Sequence, residues 1–346
     1  MYIIAADVGG TKTRLIVADA DEPGNVLFEK RYLCSEFDDF EPLLKTFIHD
    51  SGISASQVET LTLALPGLVT DTVARLTNLP WVIEKQSLKD SFAIKNIYFM
   101  NDFQASAFGT GLLQEKDRII LNPAASNFNE NSTVLSRKTI RNTTRVAVGA
   151  GTGLGVAWVE GADNKTACAH DTEGGHIDFA PIDDIQIELL RFLQQRFGHV
   201  SYERILSGDG LVSLYQFCAG KQGASSHSDD ISAEWVNKQS KNNAVADRAL
   251  TLFVQIYAAY IGNIALLFKP DGGIFITGGI AAKIVNKMQS EEFINAYLNK
   301  GRMRALVEQI AVYLVTNERV GVLGAMSEAR KMQDKLQQQV AIQQVS

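Results

Sequence analysis

The strongest constraint on this chain is a device that it uses twice: an apolar run, a glycine-rich turn and a second apolar run. Tyr2–Ala6 is apolar, Asp7-Val8-Gly9-Gly10-Thr11 is a turn and Thr13–Ala18 resumes a strand-like pattern, which together spell a β-hairpin. The pattern returns at Arg145–Val148, Gly149–Gly155 and Val156–Val159, as the opening of a second domain would. Between the two copies, Leu61–Leu65 and Ile97–Met100 read as strands, and Asp39–Asp50 and Asp102–Leu113 as helices. After the second copy, Asp184–Phe197 and Asp247–Phe268 carry helical periodicity and Gly273–Thr277 is a short buried strand. Alternating strands and helices predict the α/β class. The 346 residues leave room for two related halves at roughly 150 residues per domain.

Composition narrows the chemistry. Hydrophobic residues make up 46% and charged residues 21%, the profile of a soluble globular protein. The formal net charge is −6 and no dense Lys/Arg block occurs, so nucleic acid is not an expected partner. An acidic protein can still hold a polyphosphate through backbone N–H groups and a bound metal ion. Met1–Ala6 lacks a basic flank and Asp7 interrupts it, which predicts a cytoplasmic protein. The apolar stretch Leu252–Phe268 is short and includes Gln255 and Asn263, so a buried helix is expected there and no membrane partner. Cys34, Cys168 and Cys218 form neither a CxxC pair nor an even set, which argues against a disulfide framework or a structural zinc site. The polar stretches Asn127–Thr144 and Gly220–Ser240 read as surface insertions, and the Gln-rich end from Gln333 as a helix that frays.

Three glycine motifs can hold a nucleotide. In Asp7-Val8-Gly9-Gly10-Thr11 the glycines let consecutive N–H groups face a phosphate, Thr11 adds a hydroxyl and Asp7 a carboxylate for a hydrated metal ion. Gly151, Thr152 and Gly153, within Gly149–Gly155, can hold phosphate from the other side. Gly278-Gly279 follows Ile274–Thr277 and precedes a predicted helix over Ala281–Met288; its missing side chains admit a flat adenine ring. Each motif alone is equally a tight turn; the three in order point to a nucleotide. The P-loop is excluded because Gly220-Lys221 is followed by Gln222, and the dinucleotide fingerprint because Leu154 stands where its last glycine belongs.

With these residues in view, the chain resembles the bacterial glucokinase family, within the actin-like ATPase and hexokinase superfamily. The likeness rests on Asp7–Thr11, Thr77-Asn78-Leu79-Pro80-Trp81, Met100-Asn101-Asp102-Phe103, Gly149–Gly155, Glu173-Gly174-Gly175-His176-Ile177-Asp178-Phe179-Ala180-Pro181 and Gly198–Gly208, and runs from Tyr2 to about Arg330. The related ROK branch of sugar kinases and repressors follows its Glu-Gly-Gly-His core with a cysteine-rich zinc segment. Here no cysteine follows until Cys218, which favours the zinc-free group. The resemblance implies two actin-like (ribonuclease H-like) α/β domains with an interdomain cleft: a smaller one over 1–116 completed by a C-terminal helix at about 320–346, and a larger one over 117–319. It also implies ATP and glucose as substrates, magnesium carried with ATP, and a homodimer.

The chemistry assigns the remaining roles. Phosphoryl transfer to a sugar hydroxyl needs an acceptor for the hydroxyl proton. Asp102 follows the strand Ile97–Met100 and so stands at a carboxyl end, where open α/β sheets bind ligands. The same position suits a helix cap; beside Asn101 and the rest of the pattern, the general base is the favoured reading. Every sugar hydroxyl that leaves water must be paired again, and Asn78, Asn101, Asp102, Glu173, His176 and Glu203 supply donors and acceptors. Asp7 is expected to reach magnesium through water, with no direct protein ligand. His170 and His199 read as structural, and Asp178 as a turn or supporting residue.

Overall fold

The computed structural model describes residues 1–20, 25–122, 144–161, 167–221 and 231–345. Asn127–Thr143 and 222–230, which hold most of the two expected insertions, lie outside these residues. The chain separates into two compact units, one of Met1–Gln114, Ala157–Asp171 and Asn317–Ser346, the other of Glu115–Val156 and Thr172–Thr316.

The first unit is built on strands β1 (Tyr2–Val8), β2 (Lys12–Asp19), β3 (Val26–Leu33) and β4 (Val58–Leu65). A small antiparallel sheet of β5 (Leu68–Val69), β6 (Val73–Arg75) and β7 (Val82–Glu84) follows, and then β8 (Asn96–Asn101). The main sheet has the order β3-β2-β1-β4-β8. The first three strands are antiparallel, while β1, β4 and β8 run parallel. In β1, Ile3, Ile4, Ala5 and Ala6 are all fully buried. A strand covered on both faces has no reason to alternate in polarity, which is why it reads as an apolar run. The helix Phe40–Ser51 buries Phe40, Leu43, Leu44, Phe47 and Ile48, one stripe at helical spacing. It starts at Asp39, whose carboxylate accepts from the Phe40 N–H, and stops at Gly52 in the left-handed region. The helix Val320–Val345 packs on β1, β4 and the helix Asp102–Gly109.

The second unit holds β9 (Arg118–Ile120), β10 (Arg145–Ala150), β11 (Leu154–Glu160), β12 (Cys168–Thr172), β13 (Ile274–Thr277) and β14 (Val312–Val315), ordered β12-β11-β10-β13-β14-β9. The outer parts of β11 and β12, within Ala157–Asp171, count with the first unit. Its core helix is Ala244–Phe268, capped by the Asn243 side chain, which accepts from Val245 and Ala246 N–H. This helix is long and apolar enough to cross a membrane, and 72% of its most apolar window is buried inside the protein. Tyr257 and Tyr260 on it are fully buried.

Several expected elements change shape. The turn expected over Gly149–Gly155 shrinks to Gly151–Gly153, because β10 runs on to Ala150 and β11 begins at Leu154. The single helix expected over Ala281–Met288 is two short ones, Gly279–Lys283 and Val285–Met288, broken at Ile284. Part of the polar stretch Gly220–Ser240 is helical, since Ala233–Gln239 forms a helix capped by Ser232.

Candidate active site

In the first unit, parallel pairing aligns Asp7 on β1 with Ala64 on β4, and Leu65 with Asn101 on β8. Asp7 and the Asn101-Asp102 pair therefore emerge at the same carboxyl end of the sheet, two strands apart, where ligands of such sheets bind. Asn101 caps the helix Asp102–Gly109: its Oδ1 accepts from Phe103 N–H at 2.8 Å and Gln104 N–H at 3.3 Å. The capping alternative for Asp102 is thus largely taken by its neighbour, although Asp102 Oδ1 also accepts from Phe103 N–H at 2.9 Å. With its oxygen in the cap, Asn101 keeps its amide N–H groups for a ligand.

Both acids hold their protons tightly. Burial raises Asp7 to about 7, the nearby Asp102 charge adds to this, and Arg14 opposes it. Arg14 is itself engaged with Glu29 at 2.5 Å. Burial also raises Asp102 to about 6, against the stabilising Phe103 N–H. Asp7 lies against the first turn of the helix Val320–Val345; a Cβ on Gly321 would stand 2.3 Å from its Oδ2.

The first glycine turn is tight, with Gly9 N–H donating to Lys12 O at 3.0 Å. Cys34 braces it: its N–H donates to Thr11 O at 2.9 Å and its thiol to Gly9 O at 3.3 Å. Asn78 is exposed and sits on this turn, so that a Cβ on Gly10 would be 2.9 Å from Asn78 Cβ.

In the second unit, Glu173, His176 and Glu203 come together. His176 Nε2 is 3.7 Å from Glu173 Oε2 and 3.9 Å from Glu203 Oε1. The short helix Gly174–His176 follows Glu173, and Tyr202–Arg204 is a matching turn that carries Glu203. The other oxygen of Glu203 accepts from Leu154 N–H at 2.9 Å, and a Cβ on Gly153 would be 2.6 Å from it. A side chain at Gly153 would displace the Glu203 carboxylate from this position. Gly151 is tied to the start of the helix Gly208–Lys221, since its carbonyl accepts from Gly208 N–H at 2.9 Å; Thr152 lies between the two glycines, and the space above Gly151 is open. Gly278 adopts φ +85° with Ala150 O only 2.5 Å from where a Cβ would stand, whereas Gly279 faces open space. The histidines read as structural have partners of their own: His199 meets Asp178 at 2.7 Å and His170 stacks on Trp158 at 4.1 Å.

Two supporting residues escaped sequence reasoning. Gln104 Oε1 accepts from Asn101 N–H at 3.1 Å and its Nε2 donates to Asp171 at 2.9 Å. Its spacing from Asn101 is that of a capping box, a signal present in the sequence. Gly321 gave no such signal, because only the packed helix brings it to Asp7.

Comparison with known proteins identifies the family and the fold. The glucokinase family model matches residues 4–332. A glucokinase from Nostoc punctiforme is 32% identical over 93% of this chain and 97% of its own. Among solved structures, a glucokinase from an Antarctic psychrotroph superposes with a TM-score of 0.77 at 24% identity, over 95% of this chain and 98% of that one. An ROK-family glucokinase from Streptomyces griseus, in complex with glucose and AMPPNP, gives 0.60 at 18% identity, over 96% and 100%. The two-unit α/β fold is that of these sugar kinases, and the chain belongs to the glucokinase family.

Proposed function

We propose that this chain transfers the γ-phosphoryl group of ATP to the 6-hydroxyl of glucose with Asp102 as general base. The observation that carries the assignment of the base is Asp102 itself: a carboxylate at the carboxyl end of β8, held at a helix start by the Asn101 cap, with its pKa pushed up to about 6. A base poised near neutrality accepts a proton and still exists in the ionised form. The O6 proton passes to the Asp102 carboxylate as O6 bonds to the γ-phosphorus, and the bond to the bridging β–γ oxygen breaks to release ADP. Glucose and AMPPNP in the Streptomyces griseus protein support the substrate pair.

Asn78, Asn101, Asp102, Glu173, His176 and Glu203 are the side chains proposed to take sugar hydroxyls. The turns Gly9-Gly10-Thr11 and Gly151-Thr152-Gly153 take phosphate, and Gly278-Gly279 the adenine face. Magnesium fits beside Asp7, a carboxylate whose neighbour is a second carboxylate and whose one opposing cation, Arg14, is shared with Glu29. The ion is held through water and phosphate, as magnesium carried in with a nucleotide commonly is. Such an ion neutralises phosphate charge. Cytoplasmic location and a homodimer are part of the same proposal.

A coupled assay with ATP, magnesium and a panel of hexoses tests it. Glucose 6-phosphate formation is the expected result. Turnover with another hexose alone would move the substrate, and ADP release with none would remove the activity.

A further inference from the structure

Lys300 follows the helix Glu291–Leu298 and sends its side chain across the core helix Ala244–Phe268. It crosses at Gly262, where a Cβ would stand 2.4 Å from Lys300 Cε and 2.7 Å from Tyr297 O. The ammonium donates to Ala259 O at 2.8 Å and Asn263 Oδ1 at 2.7 Å. Both acceptors are neutral, and burial lowers the pKa of the amine. A methionine would fill the same notch without desolvating a charge. What it would lack is the donor that fixes which way the Asn263 amide faces.

That orientation has a consumer. Asn263 Nδ2 donates to the Tyr202 hydroxyl at 3.2 Å. Tyr202 is 3% exposed, immediately precedes Glu203, and donates its N–H to Ile177 O at 3.1 Å. Its ring lies 4.5 Å from that of Tyr260, whose hydroxyl donates to Gly174 O at 2.8 Å. One connected set of polar contacts and rings thus holds both the turn that carries Glu203 and the turn that carries His176.

We infer that Lys300 is a positioning residue for the sugar, acting through Asn263 and Tyr202 on Glu203 and His176. The inference rests on the reading of Glu173, His176 and Glu203 as sugar ligands. A side chain that binds a hydroxyl must be held to within a fraction of an ångström, and small misplacements cost binding steeply. Loss of Lys300 frees the Asn263 amide to turn, Tyr202 loses that donor and keeps only its backbone partner at Ala180, and the Glu203 turn loosens.

The test is a double-mutant cycle on the full chain with Lys300→Met, Tyr202→Phe and their combination, beside Glu203→Gln. Each of the first two should raise KM for glucose about three- to tenfold, more than it lowers kcat, and leave KM for ATP unchanged. The combination should be no worse than the worse single variant, because both break one chain of contacts. Lys300→Met removes a half-buried charge but leaves the Ala259 carbonyl and Asn263 Oδ1 without their donor, so Tm is measured beside the kinetics; a rise in glucose KM with an unchanged KM for ATP in the folded variant is what a merely structural role would not give. Glucose KM within twofold of wild type in both single variants, or multiplicative effects in the combination, would overturn the inference. Glu203→Gln separates the two levels. An unchanged glucose KM there sinks the reading of the sugar site itself, whereas a raised one beside an unaffected Lys300→Met sinks only the role of Lys300.

Discussion

Two carboxylates, Asp7 and Asp102, share one end of the first sheet and both hold protons above the ordinary range, Asp7 to about 7 and Asp102 to about 6. As the proposed base, Asp102 must be ionised, so kcat/KM should rise with pH through about 6; a profile flat from pH 5 to 8 would remove it from that role. Asp102→Asn should lower kcat by about 10²- to 10⁴-fold, the range for general bases, while calorimetry shows glucose affinity within about tenfold. The same shifts act on stability. A folded carboxyl whose pKa lies above its unfolded value binds the proton more tightly when folded, so stability falls as pH rises from about 4 to about 7. Asp7→Asn should therefore raise Tm at pH 8 in the absence of magnesium and change it little below pH 4. Equal Tm values at pH 8 would contradict the burial argument.

At the scale of elements, the catalytic strand end depends on how closely two helices approach. A Cβ on Gly324 would stand 1.7 Å from Ala105 O, and one on Gly109 1.9 Å from Val320 O, so the helices Val320–Val345 and Asp102–Gly109 meet backbone to backbone. Gly324→Ala forces them apart, at a cost of about 1–3 kcal/mol or more. Because the helix Asp102–Gly109 begins at Asp102, the shift reaches the proposed base. Scanning calorimetry should show a lower Tm and the coupled assay a lower kcat; loss of stability with full kcat in the folded protein would uncouple the contact from catalysis. Helix starts were partly legible in the sequence: Asp39 opens the helix read there and caps it, whereas the cap considered at Asp102 falls mainly to Asn101, and the helix read from Asp247 begins at Ala244 behind the Asn243 cap. The edge strand β3 was not legible, because its half-exposed residues Val26–Leu33 lack a clean alternation.

For the whole molecule, the proposal of magnesium carried with ATP sets the metal dependence to test. A zinc-selective chelator with magnesium in excess should leave both kcat and Tm unchanged. Activity lost on chelation and restored only by zinc would place the chain with the zinc-bearing branch. Saturating glucose should raise Tm, since a ligand bound to the folded state at about 100 times Kd stabilises it by about 2.7 kcal/mol. No shift at millimolar glucose would contradict the substrate assignment.

The sequence by itself determined the α/β class, the repeated hairpin and the motif residues, because glycine turns, capping residues and apolar periodicity are local and survive in any context. The two carboxylates at one sheet end were half visible, since each follows a strand, yet their proximity depends on the pairing of β1 with β4 and β4 with β8. Only the tertiary structure decided that Gly153 and Gly321 are crowded by carboxylates, because Glu203 and Asp7 are distant from them in sequence. It also decided that Lys300, which stands in no motif, reaches the turn that carries Glu203 through Asn263 and Tyr202, because a hydrogen-bond chain between elements is set by how helices cross and by nothing in the local order of residues.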